Sequence, residues 1–164
     1  MNASIRWWSR CALTAAMAGV LSVGVAAQKP DPVSGVWKLD VAKSKFSPGP
    51  AAKSGLVTID ATGTTRTVSA EGVTGDGTAM KWGYTATTDG KEAPVTGNPD
   101  GDTISVKRIS PSSVESTLKK AGKVTVVNTA TVSADGKTLT VTTTGTNAVE
   151  QKVNNVQVFE KQKG

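Results

Sequence analysis

The chain has no histidine and one cysteine among its 164 residues. Without histidine there is no Ser-His-Asp or Cys-His nucleophile system and no histidine-bearing zinc site. The lone Cys11 lies inside an apolar N-terminal stretch and has no small-residue lipobox before it. Downstream of that stretch the chain therefore has no thiol for a disulfide, a lipid anchor or a cysteine-metal site, and stability must come from burial and strand register. Aromatic residues make up 4% of the sequence. That is few for stacking nucleic-acid bases, and the lysines form no continuous basic stripe, so no nucleic-acid partner is expected. No segment carries a 3.6-residue apolar stripe, and no glycine-rich phosphate loop leads into a helix.

What is present begins with an address. Arg6 and Arg10 form a positive n-region, Cys11 to Val25 an apolar h-region, and Val25-Ala26-Ala27 a small-residue cleavage site before Gln28. Residues 1–27 are read as a signal peptide and 28–34 as a short lead-in, with a single β-domain over 35–164. The expected location is secreted or periplasmic. The apolar run is short for a membrane span and no second one follows, so no membrane span is expected. The net charge of +6 falls to +4 once Arg6 and Arg10 leave with the leader, and it is scattered, densest at Lys119, Lys120 and Lys123. Solvated lysines on exposed strand faces account for it.

From Gly35 onward one unit recurs: a Thr/Val-rich run of alternating polarity, then a turn signal, most often Asp-Gly. Period-2 runs bounded by such turns read as antiparallel strands joined by hairpins. About ten are predicted, near 35–40, 55–61, 64–71, 78–87, 91–95, 103–109, 114–120, 123–133, 138–144 and 152–160. The separators are Asp76-Gly77, Asp89-Gly90, Asp100-Gly101, Ala121-Gly122 and Asp135-Gly136, with Asn154-Asn155 as a further candidate. Between the first two strands, Val41 to Lys45 has room for one helical turn, and Ser47-Pro48-Gly49-Pro50 excludes regular structure. The fold class is all-β, a single antiparallel meander barrel of about 8–10 strands, with a β-sandwich as the alternative.

Alternation also nominates residues. Met80, Trp82, Tyr84 and Ala86 share one strand face, and Trp82 with Tyr84 presents a continuous apolar surface suited to a cavity wall. Val124, Val126, Ala130 and Val132 share another, which Asn128 interrupts. Arg66 is in phase with Val68 and Ala70, and Arg108 with Ile104 and Val106. A guanidinium on an inner barrel wall can hold a ligand carboxylate through paired hydrogen bonds; the competing reading is that each arginine snorkels to the rim. Asn98-Pro99-Asp100-Gly101-Asp102 has the oxygen-rich look of a calcium loop, but Thr103 and Ile109 stand where its glycine and bidentate acid belong. A hairpin loop is expected there, with no metal and no cofactor. The carboxylates show no paired spacing that marks a glycosidase.

Gly35-Val36-Trp37, the meander after it and the closing Asn155-Val156-Gln157-Val158-Phe159-Glu160-Lys161 resemble the calycin superfamily, the lipocalins and fatty-acid-binding proteins, and within it small secreted bacterial lipocalin-like proteins. The resemblance implies a barrel whose first strand pairs with its last, Trp37 plugging one end, and a ligand pocket inside. Two departures stand out. The last strand lacks the family's arginine, leaving Lys161 to cover Trp37, and the Pro-rich stretch occupies the place of a helical lid.

The resulting expectation is a secreted, non-enzymatic, monomeric lipocalin-like protein that binds a small hydrophobic or amphipathic molecule, with Trp82, Tyr84, Arg66 and Arg108 as pocket residues. Two alternatives remain at this point: a β-sandwich adhesion or assembly module, and an enzyme on a barrel scaffold using a carboxylate and Tyr84.

Overall fold

The computed structural model describes residues 30–163, so the expected signal peptide lies outside the described residues. Ten antiparallel strands follow one another: β1 (Gly35–Lys45), β2 (Ser54–Thr62), β3 (Thr65–Val73), β4 (Ala79–Thr87), β5 (Asp89–Thr96), β6 (Thr103–Ser110), β7 (Ser113–Lys120), β8 (Lys123–Val132), β9 (Thr138–Thr146) and β10 (Lys152–Lys161). Each pairs with its neighbour in sequence, and β1 pairs with both β2 and β10, closing the barrel. Closure removes every sheet edge, and the sandwich alternative, with two separate sheets, does not hold.

The alternating pattern builds the interior. Leu39, Phe159, Leu139 and Val132 stand opposite one another across β1, β10, β9 and β8 and are all buried. Ile59 and Val68 continue the core on β2 and β3, and Ile104 and Val106 on β6. Outside, threonine and serine fill the opposite phase, and the pairs Thr67 with Thr85 and Ser113 with Thr131 join their hydroxyls across strands at 3.0 Å. The β4–β5 ladder is the sparsest. It is registered only at Gly83 with Thr96 and Tyr84 with Val95, and Pro94, which has no N–H to offer, comes next.

One connection is reused three times. A hydroxyl two residues before an aspartate donates to its Oδ1, which also accepts the backbone N–H two residues beyond: Thr74, Asp76 and Thr78; Thr87, Asp89 and Lys91; Ser133, Asp135 and Lys137. These bonds favour the charged form and hold all three carboxyls below the ordinary aspartate value.

Three local expectations are corrected. Val41 to Lys45 is strand, not a helical turn: its ladder to β10 shifts register between Asp40 and Lys45, and Ser44 Oγ accepts from the Val158 N–H at 2.9 Å across that irregularity. Asn154-Asn155 lies inside β10 and the turn is Asn147 to Gln151, where Asn147 Oδ1 accepts the backbone N–H groups of Val149 and Gln151. Asp89-Gly90 opens β5 instead of separating it from β4.

The lead-in belongs to the fold. An Asp31-to-Ser34 turn, closed by the Ser34 N–H to the Asp31 carbonyl at 2.9 Å, drives Val33 into the core with no exposed surface. Trp37, also fully buried, donates from Nε1 to the Val33 carbonyl at 3.0 Å. Lys161 Nζ sits 5.0 Å from the centre of the Trp37 ring, so the cation covers the indole as expected.

Candidate functional site: a cavity with an unpaired arginine

The barrel is not filled. A cavity of about 450 Å³ runs between its two walls. It reaches the end of the barrel where the β1–β2 connection, a strap through Phe46, Pro48, Gly49, Pro50 and Ala52, meets the loops at Thr74-Gly75, Asn98 to Asp100 and Asn147 to Gln151. That size suits a small-molecule site, which typically spans roughly 300–1,000 Å³. The strap is tied down by the Ser47 N–H donating to Asn155 Oδ1 at 2.8 Å and by its carbonyl accepting from the Asn154 N–H at 2.7 Å. The Asn98 to Asp100 loop is a strut. Asp100 accepts the Ala148 N–H through Oδ1 at 3.0 Å and the Thr125 hydroxyl through its carbonyl at 2.6 Å. Among the described residues, no cluster of three acidic, histidine or cysteine side chains is placed to hold a metal.

Arg66 is the anomaly in this interior. It is the second residue of β3, in phase with Val68 and Ala70, and only 5% of it is exposed. Its Nε and Nη1 are buried and have no hydrogen-bond partner. A buried cation normally has an opposite charge or a full set of acceptors, because an unmatched one forfeits its hydration. Arg66 did not snorkel: its neighbours in register are Ala61 and Ala86, which offer no acceptor side chain.

Tyr84 stands diagonally across from Arg66 on β4, beside Val68, and is buried. Burial pushes its phenol above the usual tyrosine range, and the charge of the nearby Arg66 guanidinium, together with its hydrogen bonding to the phenol, offsets part of that rise. Trp82, two residues along the same strand, stacks on Tyr84 with ring centres 6.2 Å apart and planes 12° from parallel. The two rings continue an apolar wall in which Trp82 faces Ala70 and Ala70 faces Val57. Trp82, Tyr84 and Arg66 all line the cavity.

The other wall is different. Ser116 on β7 is registered with Asn128 on β8, Asn128 with Thr143 on β9, and Thr143 with Asn155 on β10. Four polar side chains thus form a belt across four adjacent strands, with Gln157 two residues along β10, and all five line the cavity. Thr143 donates to Asn128 Oδ1 at 2.6 Å, which leaves the Asn128 amide nitrogen to donate elsewhere. The sequence marked this belt only where Asn128 interrupts an apolar face; its other members are on separate strands, and only the register unites them.

Arg108 is placed elsewhere. It pairs with Asp31 of the lead-in and donates from Nη1 to the Pro111 carbonyl at 3.1 Å, lining a shallow depression outside the opposite end of the barrel. Asp31 supplies Arg108 with the partner that Arg66 lacks. Trp37 lies in the core beside Val33 and is not among the cavity's lining residues.

No protein-family model matches the sequence, and no curated protein does. Among solved structures, the zebrafish ileal bile acid-binding protein in complex with cholic acid is similar in fold, with a TM-score of 0.50 and 14% sequence identity, over 80% of this chain and 99% of that one. The likeness is one of fold alone, that of the closed antiparallel meander barrel.

Proposed function

We propose that the protein binds a small amphipathic molecule in the barrel cavity, with Trp82 and Tyr84 against its apolar body and Arg66 against an acidic head. The observation that carries this reading is a buried guanidinium with no carboxylate partner and with Nε and Nη1 unsatisfied. Arg66 lines a cavity large enough to admit an acceptor and its Nε and Nη1 have none, and a carboxylate would supply two lone pairs in the geometry a guanidinium prefers. A ligand of that kind restores what burial takes away. The bile acid-binding neighbour, a barrel of the same kind holding an amphipathic acid, agrees with it. The apolar leader before Gln28 supports binding outside the cytoplasm, as expected of a secreted lipocalin-like protein acting as a monomer.

The test is a titration with Nile red, an uncharged hydrophobic dye, followed by displacement with decanoate and with decanol. Saturable dye uptake is expected, with decanoate the stronger competitor. Arg66→Leu should retain dye uptake and erase the difference between the two competitors. Absence of saturable uptake overturns the proposal.

A further inference from the structure

The two walls of the cavity differ in kind, and the difference runs along the barrel's strands. On the β2 to β4 side the facing residues are Val57, Ala70 and Trp82, registered in one row. On the β7 to β10 side the row is Ser116, Asn128, Thr143 and Asn155. An apolar binder needs no such row, since a bare hydrocarbon laid against it would strip water from hydroxyls and amides without replacing the lost hydrogen bonds. Internal bonding satisfies the row only in part: Asn155 Oδ1 is taken by the Ser47 N–H and Asn128 Oδ1 by the Thr143 hydroxyl, which leaves the Asn128 nitrogen as a donor. With Arg66 lining the same cavity and its Nε and Nη1 unsatisfied, charge recognition and side-of-body recognition are available to one ligand.

We infer that the ligand class is an oxygenated amphipathic acid: a monoanion whose body carries hydroxyl or carbonyl groups along one side and bare hydrocarbon along the other. Its oxygens meet the Ser116, Asn128 and Gln157 side chains, and its bare side meets Trp82 and Ala70. Plain fatty acids of the same length are poorer ligands because they cover the belt without bonding to it. This inference rests on the cavity reading above and adds to it a preference between two acids of equal charge and chain length.

Oleate and ricinoleate form a suitable pair, since they share chain, double bond and carboxylate and differ by one mid-chain hydroxyl. In Nile red displacement from the purified protein, ricinoleate should compete at least about five-fold more strongly, the size of one net hydrogen bond. In Ser116→Ala/Asn128→Leu the preference should vanish or reverse, because oleate then meets an apolar wall. Gln157→Leu, at a position one step off the row, should weaken it in part, and a thermal melt checks each variant for folding. Should the double variant not fold, the comparison on the parent protein still decides. Equal or tighter binding of oleate by the parent overturns the inference and leaves the cavity reading intact, whereas failure of both acids to displace bound dye sinks the two together.

Discussion

The Trp37 indole nitrogen donates to the Val33 carbonyl at 3.0 Å, and neither residue has any exposed surface. The bond fastens the lead-in to the first strand across the closed end of the barrel. Trp37→Ala removes a large ring from a packed site and should cost about 3–5 kcal/mol, measured by denaturant melts. Trp37→Phe keeps most of the packing but strands a buried carbonyl, for a loss of about 1–3 kcal/mol. An unchanged melt for Trp37→Ala would deny the residue its place as plug.

Trp82 should behave in the opposite way. It is half-buried and borders the cavity, so truncation forfeits fewer packing contacts than at Trp37. Trp82→Ala is expected to weaken Nile red binding several-fold while shifting the unfolding midpoint less than Trp37→Ala does. A larger stability loss than at Trp37, with dye binding preserved, would make Trp82 a core residue and remove it from the site.

Why the strands were legible and the site less so follows from where each kind of information resides. Alternation is local, so Thr138 to Thr144 or Val114 to Lys120 declares itself within a few residues. Val41 to Lys45 does not, because its ladder to β10 breaks at a bulge and most of it is exposed, leaving no apolar phase to read. Arg66 and Arg108 are indistinguishable in sequence, each two residues from an inward valine, Val68 and Val106. What separates them is Asp31, distant in sequence, which pairs with Arg108 and not with Arg66. The polar belt is likewise a product of long-range register.

The unpaired charge should make Arg66 costly to the empty protein. Replacing it with leucine removes a buried cation that has no carboxylate partner and fills the space with hydrocarbon, so Arg66→Leu is expected to raise stability by roughly 1–3 kcal/mol while decanoate loses its advantage over decanol. Chemical denaturation of the ligand-free protein reads the first effect and dye displacement the second. A destabilised variant would mean that Arg66 serves the fold and is retained for packing.

The three aspartate turns predict an acid limb to the stability curve. Asp76, Asp89 and Asp135 are held below the ordinary aspartate value of 3.8 by hydroxyl and backbone donors. A carboxyl whose folded value is depressed binds fewer protons in the native state than in the unfolded one. Its contribution is therefore complete above the ordinary value and lost as pH falls through the folded value. Thermal midpoints should drop below about pH 4. Asp135→Asn, which keeps an acceptor oxygen but cannot titrate, should make that drop shallower; an unchanged acid limb would assign it to other groups.

The last prediction concerns how a ligand enters. Gly75, on the β3–β4 loop, packs directly against the strap: a Cβ there would come within 2.5 Å of Pro50 Cγ and 2.7 Å of the Pro50 and Ala51 carbonyl oxygens. Backbone oxygens cannot swing aside as a side-chain tip can, so Gly75→Ala must displace the strap from the mouth of the cavity. The strap's ties to β10, through Ser47, are at its other end and stay in place. The expected result is faster ligand exchange in stopped-flow displacement of Nile red, several-fold in both directions, with a smaller change in equilibrium affinity and a melt close to the parent's. If the strap is the gate, rates move and affinity largely does not. Unaltered rates in a folded Gly75→Ala variant would place the route of entry elsewhere, and the sparsely registered β4–β5 seam would become the next segment to open by mutation.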